Sequence, residues 1–317
     1  MNALVTGAAG FIGSTLAARL LERGATVTGI DCFTDYYPRF IKESNLAPLL
    51  AQPGFRFVED QLQSTDIGGL LDGVTHVFHL AAQAGVRKSW GKDFETYTVN
   101  NIEATQVLLE ACVGRPIEKL VYASSSSVYG DDVELPFREM SVLRPVSPYG
   151  VSKLAAEQLC YLYFVNHGVP TVSLRYFTVY GPKQRPDMGF HKFFKAVLRG
   201  EAIGVYGDGE QTRDFTFVAD AVTATADAAA KGIAGRVYNI GGGSRVTVNH
   251  VLDLIGQVTG TPVTIRREAS QKGDMRNTYA DTSLARAEIG FAPSVTLADG
   301  LRAEYEWLKS SPAILAL

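Results

Sequence analysis

ALVTGAAGFIG, residues 3–13, decides the fold. A short apolar run ends at Thr6, glycines stand at Gly7, Gly10 and Gly13, and helical spacing runs over residues 11–23. Glycines between a strand and a helix let the backbone turn tightly and approach a ligand with no Cβ in the way. The helix then offers unpaired N–H groups and a partial positive charge, which suits a pyrophosphate. A glycine turn alone is weak grounds, since ordinary turns use glycine freely. Its context adds weight: residues 26–30 read as the next strand, and Asp31 closes it. An acidic residue there accepts hydrogen bonds from a ribose 2′-hydroxyl and repels a 2′-phosphate. The stretch therefore reads as a site for NAD in preference to NADP.

Outward from that turn, residues 55–58, 76–81 and 120–124 read as further short buried strands, with 169–176 as a sixth. Residues 11–23 and 93–112 have the apolar spacing of helices. Such alternation predicts an α/β chain, a Rossmann-type doubly wound parallel sheet with helices on both faces. Asp60 ends the third strand and Ala81-Ala82 the fourth, at the carboxyl edge where dinucleotides lie. After Tyr176 the rhythm breaks. Residues 178–189 are rich in glycine, proline and charge; helical patterns then cover 190–199, 219–231 and 247–259, with short strands near Val205, Phe215, Val237 and Ile265. The economical division gives residues 1–177, with 214–246, to the dinucleotide domain. Residues 178–213 and 247–317 form a smaller, mainly C-terminal α/β substrate lobe.

The 317 residues are 46% hydrophobic and 20% charged, enough for a sizeable core and without a bias toward disorder. No run approaches the roughly 18–20 apolar residues of a membrane span, and the first residues lack a basic region and meet a glycine at Gly7, so a signal peptide is not expected. Cys32, Cys112 and Cys160 are odd in number and scattered, so the expectation is free thiols and a reducing cytoplasm. A net charge of −3 argues against nucleic acid as a partner. A metal is not expected either: His76 and His79 point to opposite faces of a strand.

SPYGVSK, residues 147–153, is the second informative stretch. Ser147 can cap a helix that begins at Pro148, and Tyr149 and Lys153 then share one face. A tyrosine serves as a base at neutral pH only if its pKa falls from ~10 by roughly three units, about 4 kcal/mol. A nearby ammonium and the positive helix end both push that way.

Together, TGAAGFIG, HLAAQAGVR, SSSSVYG, SPYGVSK, RYFTVYGP and GDGEQTRDF make the chain resemble an extended short-chain dehydrogenase/reductase of the nucleotide-sugar epimerase group. HLAAQAGVRKSW and FTVYGPKQRPDM are most similar to UDP-glucuronate 4-epimerases. The resemblance implies transfer of the sugar C4 hydride to NAD and its return to the other face of a 4-keto intermediate. It makes Tyr149 the base, Lys153 the partner that holds the nicotinamide ribose, and Ser125 the donor to the sugar 4-oxygen. Phe11, Ile12, Asn100 and Tyr176 join the cofactor set. Arg213 matches an arginine that clamps the UDP diphosphate, and Asp274 and Arg276 match nucleotide contacts. Arg87, Ser126, Ser127, Thr178 and Arg185 complete the substrate set, with the uronate carboxylate expected at the serine run and Arg185. A loop-stabilising role is the other reading of Arg185, beside Pro182, Pro186 and Asp187. The resemblance also implies a homodimer through 93–112 and 147–167.

Departures narrow the choice. Dehydratases and decarboxylases of the group carry carboxylates where this chain has Ser126 and Ser127, which cannot do that proton work. Hexose epimerases resemble RYFN where this chain reads RYFT, and place a lysine where Ala84 stands. The alternatives are a UDP-glucose 4-epimerase, a UDP-glucuronate decarboxylase and a non-catalytic NAD-sensing protein. A sensor has no need of an activated phenol.

Overall fold

Six strands in chain order build most of the central sheet: β1 (Asn2–Thr6), β2 (Thr26–Asp31), β3 (Phe55–Glu59), β4 (His76–His79), β5 (Lys119–Ser125) and β6 (Thr171–Tyr176). The computed structural model describes residues 1–269 and 271–316. A seventh strand, Val237–Ile240, joins the far edge, and the spatial order is Val237–Ile240, β6, β5, β4, β1, β2, β3. Every pairing in this sheet is parallel. The order reverses between β1 and β4, which opens a crevice at their carboxyl ends. Register makes that edge flush, because Thr6 pairs with Ile30 on one side and His79 on the other. Gly7, Asp31 and Leu80 thus emerge side by side.

Helices cover both faces, as strands buried on both sides require. One layer packs the helix Phe11–Glu22, through Leu16 and Leu20, with the alanine-rich helix Val218–Lys231. The other buries Leu108, Leu109, Ala156 and Cys160 from the helices Ala104–Cys112 and Pro148–His167. Each large aliphatic side chain so buried contributes about 1.5–3 kcal/mol. A separate apolar cluster around Phe190, Phe194, Val251, Ile255 and Leu301 joins the helices Gly189–Arg199, Val248–Thr259 and Leu297–Lys309. No helix among the described residues is long and apolar enough to cross a membrane.

Two elements differ from the sequence reading. The fourth strand stops at His79, because the N–H groups of Leu80 and Ala81 turn to the Thr6 hydroxyl. The single helix expected over 93–112 is broken by a π segment, Thr98–Glu103, before Ala104–Cys112. There the Asn101 side chain is drawn inward to the main chain of Gln83. The helices Arg39–Leu50 and Leu297–Lys309 went unanticipated.

Candidate active site

Gly7 has φ +70°, and a Cβ on it would stand 2.9 Å from the Ala81 nitrogen. Gly13 has less room still: its Cβ would stand 2.0 Å from the Gly7 carbonyl oxygen. Both positions demand glycine. Gly10 caps the helix Phe11–Glu22 without a side chain, so no side chain satisfies the first-turn N–H groups. They open onto a cleft lined by every residue that the sequence reading gave to the cofactor.

Those residues take different parts in it. Asp31 is fixed by two backbone donors, Ala9 N–H on Oδ2 and Phe33 N–H on Oδ1, each leaving lone-pair capacity for a ribose. Asp60 accepts from Gln61 N–H, which helps hold its carboxyl below the usual value. Asn100 sits in the π segment and bonds the Thr96 carbonyl. Tyr176 lines the cleft with its ring, but its hydroxyl is turned to Thr225 Oγ1 in the core. A bare helix terminus, a cradle without Cβ atoms and a held carboxylate fit a dinucleotide.

Ser147 accepts from Gly150 N–H and Pro148 takes the first turn, so the helix Pro148–His167 starts where the sequence predicts. Tyr149 and Lys153 both line the cleft. Lys153 Nζ donates to the Ala123 carbonyl at 2.8 Å and lies 5.0 Å from the Tyr122 ring centre; burial pushes its pKa down to about 8. The Tyr149 phenol differs from expectation. Burial raises its pKa, against the Ser125 hydroxyl and the Arg185 charge, which pull it down. A phenolate loses hydration against the walls of the cleft, and Lys153 is directed to Ala123 instead.

Ser125 ends β5, and its hydroxyl accepts from Ser127 N–H to cap the short turn Ser126–Val128. Ser126 is buried and Ser127 half-buried. Thr178 follows β6, its carbonyl accepting from Thr216 N–H. None of these lines the cleft, whereas Arg185 does. The nucleotide-side residues form their own group beyond it. Arg87 pairs with Asp274 at 2.6 Å and lies 4.2 Å over the Tyr206 ring. Arg213 Nη1 donates to the carbonyls of Thr212 and Arg276, while Arg276 grips Asp208 through two bonds. Burial holds Arg213 below its usual pKa, with Arg87 and Arg276 acting in the same direction.

Sequence reasoning missed the polar network beneath the cleft. Leu80 and Ala81 donate to the Thr6 hydroxyl, which must itself donate to His79 Nδ1. His79 Nε2–H then donates to Thr105, whose hydroxyl donates to the Asn101 carbonyl. Asn101 Nδ2 bonds Ser152 Oγ, which donates to the Tyr149 carbonyl. The chain of bonds links the glycine turn to the Tyr149 helix. His79 had been weighed only as a metal ligand, and nothing in the letters separates Asn101 from Asn100.

Known proteins resemble the chain over nearly its whole length. A family model described as "NAD dependent epimerase/dehydratase family" matches residues 3–241. A Bacillus subtilis protein named uncharacterized UDP-glucose epimerase YtcB is 44% identical over 98% of each chain. The UDP-glucuronate 4-epimerase of Thermodesulfobacterium geofontis is 35% identical, over 97% of this chain and 96% of its own. Among solved structures, the UDP-glucuronic acid 4-epimerase from Bacillus cereus, in complex with UDP-glucuronic acid and NAD, superposes with a TM-score of 0.96. It is 43% identical, over 98% of this chain and all of that one. The chain belongs to the NAD dependent epimerase/dehydratase family.

Proposed function

We propose that the protein is an NAD-dependent 4-epimerase that interconverts UDP-glucuronate and UDP-galacturonate. One observation carries the reading: Tyr149, Lys153 and Arg185 share a single cleft with the glycine turn. NAD, when bound, supplies the acceptor and donor of the sugar C4 hydride. Tyr149 takes the proton of the 4-hydroxyl and returns it, and Ser125 donates to the same oxygen. Lys153, one helical turn away and a cation below about pH 8, holds the nicotinamide ribose, while Ser125 and Arg185 favour ionisation of the phenol against its burial. Arg87, Arg213, Asp274 and Arg276 hold the UDP.

The 4-keto uronate is a β-keto acid and loses CO₂ when its carboxylate bond aligns with the carbonyl π system. An epimerase must hold that carboxylate out of alignment while the ring turns. Arg185 can do this with its planar fork, and Ser125, Ser126 and Thr178 add neutral donors that move no proton. The name of the Bacillus subtilis relative favours a second substrate, UDP-glucose. Incubation with each sugar nucleotide and chromatography of the products separates the two. UDP-galacturonate from UDP-glucuronate is the expected result; turnover of UDP-glucose alone overturns the uronate reading.

The same reading includes a homodimer and a cytoplasmic setting. The helix Pro148–His167 leaves Val151, Tyr161, Leu162 and Val165 exposed, which suits a partner helix, and the three cysteines are free thiols. It also divides the chain into residues 1–177 with 214–246, against 178–213 with 247–317. The place of Val237–Ile240 beside β6 supports that division.

A further inference from the structure

The guanidinium of Arg185 is gripped along one edge. Its Nε donates to Asp187 Oδ1 at 2.9 Å and its Nη2 to Oδ2 at 3.0 Å, and among the described residues these are its hydrogen bonds. The opposite edge, made by Nη1 and the second Nη2 proton, remains for a ligand in the cleft that Arg185 lines. Asp187 is held in turn. Tyr36 donates to its Oδ2 at 3.2 Å, and the Tyr36 ring centre lies 5.8 Å from the Arg185 guanidinium carbon and 4.9 Å from Lys88 Nζ. Tyr36 is wedged against Gly85, where a Cβ would stand 2.1 Å from the phenol oxygen. The backbone before Arg185 is fixed too. Lys183 takes a left-handed φ of 72°, and the Gln184 side chain accepts from His191 N–H.

We propose that Asp187 is a positioning residue for substrate choice: it grips the Nε/Nη2 edge of Arg185 and so fixes the Nη1/Nη2 edge as the receptor for a sugar carboxylate, with Tyr36 as its buttress. The inference rests on the uronate reading above. A free arginine on its long stem loses rotamer freedom when it binds, whereas a clamped one has that freedom removed beforehand. Asp187 also compensates the cation when no substrate is present, so a partly buried charge is never left alone. The Tyr36 hydroxyl draws on the Asp187 charge and thereby weakens repulsion between the two carboxylates that must share one guanidinium. Burial alone would raise the Asp187 carboxyl, but the Arg185 charge and bonds hold it below its usual value, so it remains an anion at neutral pH. A neutral hexose has no carboxylate for the prepared edge.

The test compares the KM for UDP-glucuronate with the Ki of UDP, which has the same nucleotide and no sugar. Wild type, Asp187→Ala and Tyr36→Phe are measured at neutral pH. Asp187→Ala should raise the KM about tenfold or more while the Ki moves less than about twofold, the signature of lost ground-state binding at the sugar. Tyr36→Phe keeps the ring and should raise the KM about threefold, again with little change in Ki. KM and Ki rising together make Asp187 a mere loop support and overturn the inference, as does an unchanged KM. A lower KM also overturns it, since Asp187 would then compete with the substrate. Wild-type protein that turns over no UDP-glucuronate overturns the uronate reading itself, a separate failure.

Discussion

Tyr149 shows how far a single residue can be read from its letters. Its neighbours Ser147, Pro148 and Lys153 predicted a helix start and a shared face, and the capped helix bears that geometry. The direction of its pKa was not legible, because desolvation depends on the walls around a group and not on its own helix. Burial raises Tyr149, while Arg185, far along the chain, opposes that. Tyr149→Phe deletes only the hydroxyl, so NAD binding and the thermal midpoint should stay near wild type. Turnover should fall by about two orders of magnitude or more, the usual size of general acid–base catalysis. Retention of more than about a tenth of wild-type turnover would remove Tyr149 from the base role.

At the scale of elements, β1 and the helix Phe11–Glu22 were legible because periodicity and glycine both punctuate them. Each glycine there answers a contact. A methyl group on Gly13 would stand 2.0 Å from the Gly7 carbonyl oxygen and force the turn open. Gly13→Ala should cost about 1–3 kcal/mol in urea unfolding, the usual price of overpacking, and weaken NAD by about tenfold or more in fluorescence titration. Unchanged values for both would mean that the turn is not closed as described. The π segment Thr98–Glu103 was not legible, since its cause is tertiary. Asn101 is recruited by Gln83 and Ser152, distant residues that no local spacing can reveal. The short strands near Val205, Phe215, Val237 and Ile265 were legible, whereas Arg245–Thr247 is too short for periodicity to register.

Over the whole molecule, the buried network beneath the cleft ties stability to pH. Burial pushes the His79 pKa down to about 3, with the Lys153 charge acting the same way, against an ordinary 6.5. The folded chain therefore binds fewer protons than the unfolded chain between those values. Stability from neutral His79 is complete above about pH 6.5 and is lost as pH falls toward 3, at up to about 1.4 kcal/mol per pH unit. In urea unfolding, wild type should lose about 1.5 kcal/mol from this group between pH 6.5 and 5. His79→Gln should start less stable at neutral pH and show a flatter acid limb. Equal slopes in the two proteins would show that His79 does not govern that limb. Chemistry across the whole cleft is read out by UDP-glucuronate deuterated at C4. Mass spectrometry of the product should find UDP-galacturonate that keeps the label at C4, because the hydride leaves and returns within one closed site. Loss of deuterium to solvent, or conversion to a pentose nucleotide instead of the galacturonate, would contradict the account.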